Sequence, residues 1–371
     1  MSTPLLVNAW FKIAVDNSMC YTAATCDPDD FPKKYDLRPR RYNRQIKIAL
    51  VVTMYNEDDG WLEKLCCLHV SDGRTKINPR VLTVLGAMGI YMDGLPRSSV
   101  NGEPVTGHIF EFTTQIAIDR DMAVRTRKMG IFPTQVIFVL KEKNAKKINS
   151  HKWFFNAVCE VIFPEVTMLL DVGTKPSAVS FYHLYRAFER DPRIGGACGE
   201  IAAELGPSCG NLLNPLVATQ NFEYKMSNIL DKPSSQSLVI SRAPWCLFCL
   251  SLQALQGEPL YKYFLGEKPG ADIFTSNLYL AKIVFFALNS SPRNMRLGFS
   301  STFKSAVAET DCAQHPSRAH LAGVGAGLNG SFFASVHAIS NFSQIFQSPH
   351  SSIQKFIFSV EFVYNAIQSG L

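Results

Sequence analysis

The feature that most constrains this chain is a short apolar segment that ends in a carboxylate. Val166-Thr-Met-Leu-Leu-Asp171 is followed by Gly173 and Pro176, which interrupt regular structure. The pattern predicts a buried parallel β-strand that ends at Asp171. Ligands of open α/β sheets bind beyond the carboxyl ends of the strands, where a carboxylate can hold a divalent cation against a diphosphate. The alternative is that Asp171 only caps the next helix.

Strand and helix patterns alternate along residues 46–232. Ile46–Thr53 and Thr134–Leu140 are apolar and rich in β-branched residues, as buried strands are. An apolar stripe with helical spacing follows Asp171 and consists of Phe181, Leu184, Tyr185 and Phe188. This alternation predicts an α/β fold with a mostly parallel central sheet flanked by helices.

Other segments carry weaker patterns. We expect residues 1–44 to form a mostly irregular lead-in, residues 61–100 to be helix and then loop, and residues 120–129 to be helical. A further helix is expected from Asn214 to Lys232, before Pro233.

Composition narrows the class of protein. Of the 371 residues, 47% are hydrophobic and 18% charged, which excludes a disordered chain. The net charge of +6 is too small to indicate nucleic-acid binding. The ten cysteines form no disulfide framework, and we find neither a signal peptide nor an apolar run long enough to span a membrane. Residues 331–371 are apolar and aromatic, which indicates either a chain that stops before a membrane-facing part or an ordinary pair of core helices.

Two polar stretches follow predicted strands. The loop after Thr53 contains Tyr55, whose ring can stack on a nucleobase, and three carboxylates, Glu57, Asp58 and Asp59, one of which can accept from a base N–H. The alternative is an acidic helix N-terminus. Residues 141–152 contain five lysines, which suit a diphosphate but are also typical of a solvated surface.

Several long motifs resemble one family. They are Tyr21–Phe31, Val52-Thr-Met-Tyr-Asn-Glu-Asp58, Lys146-Lys-Ile-Asn-Ser-His-Lys-Trp-Phe-Phe155, Leu170-Asp-Val-Gly-Thr-Lys-Pro176, Gly195–Glu200, Asn214–Lys225 and Gly270-Ala-Asp-Ile-Phe-Thr275. In this order they resemble the catalytic domain of fungal chitin synthases, which are membrane-bound family 2 glycosyltransferases. The resemblance covers most of residues 20–281.

The resemblance implies a GT-A-like domain that transfers N-acetylglucosamine, with inversion, from UDP-N-acetylglucosamine to a growing β-1,4-linked chitin chain of the cell wall. It implies that Thr53, Tyr55 and Glu57 bind the uridine and that Asp171 binds the metal and the diphosphate. Lys147, Glu223 and Lys225 would lie near the donor. Mg²⁺ or Mn²⁺ would neutralise the departing UDP.

The resemblance also implies an organisation and a location. We expect a lead-in over 1–44, a catalytic domain over 45–330 and a membrane-proximal segment over 331–371 that ends before the transmembrane helices. The catalytic domain would lie on the cytoplasmic side of the plasma membrane. No nucleic-acid partner is expected, and homo-oligomerisation stays open.

The chain departs from the family at two functional motifs. An inverting transfer needs a general base. The family supplies it from Glu-Asp-Arg, but Lys282 and Ile283 stand in that region here. The family's Gln-Arg-Arg-Arg-Trp precedes Leu-Asn-Gly-Ser-Phe-Phe, whereas here Gly323-Val-Gly-Ala-Gly327 precedes Leu328–Phe333. A third segment, residues 236–253, also fails to match.

Reverse translation offers a cause. DNA that encodes Ala281–Ala287, Gly323–Gly327 and Arg242–Gln253 can yield the three missing family motifs in a neighbouring reading frame. We therefore hypothesise frame slips in the recorded sequence and expect this chain to be catalytically inactive. The alternative is a non-catalytic assembly partner or decoy of an active synthase. A hyaluronan- or cellulose-type synthase is disfavoured, because it would lack the Ser150-His-Lys-Trp153 stretch.

We discount Cys246-Leu-Phe-Cys249 as a metal pair and Gly323–Gly327 as a dinucleotide loop.

Overall fold

The computed structural model describes residues 18–54, 68–118, 123–126, 133–171, 174–176, 180–191, 194–203, 207–226, 247–267, 296–299 and 307–310, with a few isolated positions elsewhere. Its strands are β1 Cys20–Ala24, β2 Ile48–Met54, β3 Leu68–Ser71, β4 Ser99–Val100, β5 Glu103–Pro104, β6 Gly107–Thr114, β7 Ile116–Ile118, β8 Val124–Thr126, β9 Thr134–Lys141, β10 Val166–Asp171, β11 Thr174–Pro176, β12 Ile194–Cys198, β13 Glu200–Ala203, β14 Leu247–Ser251, β15 Arg296–Phe299 and β16 Val307–Thr310.

Helices accompany these strands. The α-helices are α1 Phe31–Lys34, α2 Arg38–Arg41, α3 Pro79–Ala87, α4 Lys146–Lys152, α5 Ser180–Arg190, α6 Pro215–Met226, α7 Leu252–Leu255 and α8 Glu258–Phe264. Helix α4 continues into a π-helix, Trp153–Cys159, and a last helical turn, Glu160–Ile162. Pro207–Leu213 and Leu265–Glu267 are 3₁₀-helices.

A nine-stranded sheet forms the centre of the fold. Its order is β1-β6-β9-β3-β2-β10-β14-β12-β15. Only β6 and β14 run against the other strands, since every antiparallel pairing in this sheet involves one of them. The sheet is therefore mostly parallel, and the predicted α/β class is confirmed. A smaller sheet has the order β11-β16-β13, and two short hairpins pair β4 with β5 and β7 with β8.

Both faces of the large sheet are buried. Alternate residues of β2 belong to different cores: Ala49 and Val51 pack into one, while Leu50 and Val52 pack into the other. The first core contains the aromatic residues of the π-helix, and the second contains α3 and α5. Burial on both faces explains why β2, β9 and β10 have continuous apolar sequences that could be recognised.

The recognisable elements lie close to where the sequence predicts them. Strand β10 covers Val166–Asp171 as expected, and the two other predicted strands are observed within two residues of their expected ends. The apolar stripe lies on α5, where it packs against the second core. The helix expected at Asn214–Lys232 is observed as α6, and residues 227–232 lie outside the described ones.

Two local expectations are wrong, and that of a mostly irregular lead-in stays a prediction, because residues 1–17 lie outside the described ones. Within the lead-in, β1 pairs with β6 at the sheet edge, and Phe31 of α1 is fully buried. Residues 61–100 contain β3, which is only four residues long and includes the polar residues His69 and Ser71, so it has little strand pattern. Within 120–129 the structure has β8, which is held by its hairpin partner β7.

The membrane-related expectations are not decided by the structure. In the described part of the chain, no helix has both the length and the apolar character needed to cross a bilayer. The apolar segment 331–371 lies almost entirely outside the described residues.

Candidate active site

Four adjacent parallel strands end at one edge of the large sheet. These are β9, β3, β2 and β10, and their register is continuous across the edge. Asp171, the last residue of β10, is the register partner of Thr53 on β2, and Thr53 is in turn the partner of Val70 on β3. Neighbouring strands are about 4.8 Å apart, so the backbones of Thr53 and Asp171 lie side by side. Thr53 is half-buried at this edge.

Helix α4 brings Lys147 to the same part of the fold. The helix starts five residues after β9 ends, and it packs against β2. The backbone N–H of Ala145 donates to Oδ1 of Asp72 at 2.9 Å, which holds the start of the helix near the end of β3. Lys147 is half-buried in the second position of α4. Two of the sequence-predicted residues, Thr53 and Lys147, therefore lie on elements in contact with each other.

The remaining predicted site residues are less closely placed. Glu223 and Lys225 lie on α6, which packs on β13 through a small core of Ala203, Val217 and Tyr224. Lys225 is exposed. Strand β13 shares its sheet with β11, and β11 begins three residues after Asp171.

Some predicted residues are beyond the structural description. Tyr55, Glu57, Lys282 and Ile283 lie outside the described residues, so their roles stay predictions.

Sequence reasoning missed a buried ion pair at this edge. Nζ of Lys141, the last residue of β9, lies 2.7 Å from Oδ1 of Asp72, which directly follows β3. The two side chains are 2% and 9% exposed. Burial lowers the pKa of Lys141, and the hydrogen bond and charge of Asp72 oppose that shift. The sequence signal was an aspartate after a strand end, but it was hidden because β3 itself was not recognised.

The cysteine pair discounted as a metal site and the glycines of the Gly195–Glu200 motif have structural positions where they are described, whereas residues 323–327 lie outside the described residues. Cys249 is fully buried in β14, between β10 and β12 in the sheet, so it packs as a small hydrophobic residue. Gly195 and Gly196 lie inside β12, where the pairing register with β15 shifts between Ile194 and Gly196. Cys246 lies outside the described residues.

A parallel sheet with polar residues at adjacent carboxyl ends places the chain in the class of α/β domains that bind ligands at that edge. Comparison with known families makes the class specific. Residues 47–342 match the family described as the chitin synthase-like glycosyltransferase domain, and residues 16–47 match the chitin synthase N-terminal family. The chain therefore belongs to the chitin synthase-like glycosyltransferases.

Curated relatives agree with this family. The chain is 43% identical to chitin synthase 2 of Rhizopus oligosporus over 94% of its own length and 45% of the relative. It is 44% identical to chitin synthase C of Aspergillus oryzae over 94% of its own length and 42% of the relative. The chain thus spans less than half the length of these relatives.

Among solved structures, the chain matches the mannosyltransferase PcManGT from Pyrobaculum calidifontis, in complex with GDP-Man and Mn²⁺. The TM-score is 0.44 at 12% sequence identity, and the match covers 96% of this chain and 74% of that one.

Proposed function

We propose that this chain is the donor-binding part of a chitin synthase, which transfers N-acetylglucosamine from UDP-N-acetylglucosamine to a β-1,4-linked chitin chain. The observation that carries the proposal is the register pairing of Thr53 with Asp171 at the carboxyl edge, in a chain of the chitin synthase-like family. In this arrangement the β2 side of the edge takes the uridine, through Thr53, Tyr55 and Glu57. The β10 side takes the diphosphate.

We propose that a divalent cation binds at this edge through one protein carboxylate. Among the described residues no group of three His, Cys, Asp or Glu side chains could hold a metal ion. Mg²⁺ and Mn²⁺ do not need such a group in phosphate sites, because one carboxylate with phosphate oxygens and water completes their coordination. Asp171 would be that carboxylate, and the bound ion would neutralise charge on the departing UDP. Lys147, Glu223 and Lys225 would complete the surroundings of the donor.

The acceptor half of the reaction is incomplete in this sequence. Lys282 stands in the region where the family has its general base, so the carboxylate that would take the proton of the acceptor hydroxyl is missing from that motif. We propose that this chain binds the donor without transferring the sugar efficiently. An intact chitin synthase of this family would act at the plasma membrane, from the cytoplasmic side.

Isothermal titration calorimetry with a panel of nucleotide sugars tests the proposal. UDP-N-acetylglucosamine should bind in the presence of Mg²⁺ or Mn²⁺ and should be preferred over UDP-glucose and GDP-mannose. Equal affinity for the uridine and guanosine compounds, or no binding to any of them by folded protein, would contradict the proposed donor site.

A further inference from the structure

We propose that Glu267 is a positioning residue that fixes helix α4, and with it Lys147, against the carboxyl edge of the sheet. The inference deepens the proposed function and rests on it, because Lys147 is one of the residues proposed to surround the donor, and its ammonium group suits the diphosphate. Glu267 ends the 3₁₀-helix that follows α8 and is 118 residues away from Asn149, its partner on α4.

The carboxylate of Glu267 holds α4 at two points. Nδ2 of Asn149 donates to its Oε1, and Nζ of Lys152 lies 3.0 Å from its Oε2. Asn149 and Lys152 are three residues apart, so they lie on one face of the helix. Because the carboxylate of Glu267 contacts the helix at two positions, one turn apart, it restrains both the rotation and the tilt of the helix.

The same helix face is tied to the sheet. Nζ of Lys141 donates to Oδ1 of Asn149 at 3.1 Å while it pairs with Asp72 at 2.7 Å. Asn149 thus uses its two amide atoms to join Lys141 on one side to Glu267 on the other. A continuous series of polar contacts leads from the end of β3 through α4 to Glu267.

The N-terminal segment completes the network. Nζ of Lys152 lies 2.9 Å from Oδ2 of Asp29, and Nδ2 of Asn156 donates to Oδ1 of Asp29 at 2.6 Å. Burial alone would lower the pKa of Lys152, but the hydrogen bonds and charges of Asp29 and Glu267 outweigh burial and raise it. Lys152 therefore stays protonated and bridges two carboxylates. Helix α4 is thus held by Asp29 of the N-terminal segment as well as by Glu267.

Helix α4 needs such contacts because its own start is unfavourable. Lys146, its first residue, has a φ of +68°, in the left-handed region that non-glycine residues rarely adopt. A second contact from α8 supports the helix, since Nδ1 of His151 lies 2.7 Å from the hydroxyl of the buried Tyr263. The position of Lys147 therefore depends on tertiary contacts, and the carboxylate of Glu267 makes two of them.

Glu267→Gln tests this role, with Glu189→Gln as the matched control. Glu189 also pairs with a cation, Arg186 at 2.8 Å, but on α5. Affinities for UDP and for uridine are measured by calorimetry. We expect Glu267→Gln to weaken UDP binding by about fivefold or more and to leave uridine binding unchanged, because only the diphosphate depends on Lys147. The control should change neither affinity.

Two further variants separate positioning from general loss of structure. Lys152→Arg should keep both carboxylate contacts and near-normal UDP affinity, whereas Lys152→Met should behave like Glu267→Gln. In a Lys147→Ala background, Glu267→Gln should have little additional effect, because the two residues act through one interaction. An equal loss of UDP and uridine affinity, or no loss of either, overturns the proposal.

If the proposed function is wrong, the same binding measurements give a different result: wild-type protein then binds neither UDP nor uridine. Amide hydrogen exchange then decides the positioning claim separately. Faster exchange in residues 146–152 of Glu267→Gln would support it, and unchanged exchange there would overturn it.

Discussion

Thr53 and Asp171 are register partners on the neighbouring parallel strands β2 and β10. The pairing joins a residue assigned to the uridine to the carboxylate assigned to the metal and diphosphate, although 118 positions separate them in the chain. It arises because both strands are central, apolar on both faces and parallel. The relative position of the two residues is therefore set by the sheet rather than by a loop.

The frame-slip hypothesis predicts a result at the DNA level. Resequencing the locus and its transcript across codons 230–330 should reveal insertions or deletions that restore Glu-Asp-Arg and Arg-Arg-Arg-Trp in frame. A corrected protein, extended to the length of its relatives, should incorporate labelled N-acetylglucosamine into a chitinase-sensitive polymer. DNA that encodes the chain as given, in one frame and without the alternative motifs, would support the non-catalytic partner or decoy instead.

The buried pair of Asp72 and Lys141 should contribute to stability as a unit. Lys141→Met alone leaves the Asp72 carboxylate buried without its cation, which costs about 3–5 kcal/mol in comparable cases. Adding Asp72→Leu should recover part of that loss, because the buried charge is then removed as well. Urea denaturation of the single and double variants measures the difference. A double variant less stable than the single variant would contradict this account.

The indole ring of Trp153 packs on Gly107 and leaves little space for a side chain at this position. A Cβ at this position would lie 3.0 Å from Cζ2 and 3.2 Å from Cη2 of Trp153, which is buried against Phe31 and cannot easily move. Gly107→Ala should lower the free energy of unfolding by about 1–3 kcal/mol.

Gly86→Ala is the control, since its Cβ would meet only the carbonyl oxygen of Tyr91 at 3.6 Å. It should be neutral or stabilising by up to about 1 kcal/mol in helix α3. Equal stability of the Gly107→Ala and wild-type proteins in chemical denaturation would show that the ring can shift.

His69 makes stability depend on pH. Complete burial lowers its pKa from 6.5 to about 4 in the folded protein. Between these values the unfolded chain binds a proton at His69 that the folded chain does not, so the free energy of unfolding decreases as pH falls, by up to about 1.4 kcal/mol per pH unit. Well above pH 6.5, where His69 is neutral in both the folded and the unfolded chain, this group has no effect.

Denaturation curves at pH 7 and pH 5 measure this dependence, and in His69→Gln the decrease should be smaller. Identical pH dependence in the variant and the wild type would assign the acid sensitivity to other groups.

The sequence predicts those parts of the fold whose hydrophobic pattern can be recognised within the element itself. Strands β2, β9 and β10 have continuous apolar runs because both of their faces are buried, and α5 shows its buried stripe directly. Strand β6 was not recognised, because buried polar residues such as His108 and Glu111 interrupt its pattern. The Glu111 carboxylate accepts the backbone N–H of Arg38 at 2.8 Å, a partner that only the folded chain provides.

The same distinction applies to the candidate site. The positions of Thr53 and Asp171 were predictable because Asp171 ends a recognisable strand and Thr53 is next to the end of another. Their roles stay predictions. Asp72 was not, because its partner Lys141 is reached only when β3 lies between β2 and β9 in the sheet. Likewise, Glu267 lies far along the chain from Asn149 and Lys152, and no spacing rule links a residue to a helix that distant.

The most direct test of the donor site is the affinity of Asp171→Asn for UDP-N-acetylglucosamine, measured by calorimetry with and without Mn²⁺. Asp30→Asn, in an exposed pair with Lys33, is the control. Loss of the carboxylate should weaken Mn²⁺-dependent binding by at least about tenfold, since the ion would lose its only assigned protein ligand. Without Mn²⁺, the variant and the wild type should bind alike. Unchanged affinity of Asp171→Asn in the presence of Mn²⁺ would contradict the assignment of this sheet edge as the donor site.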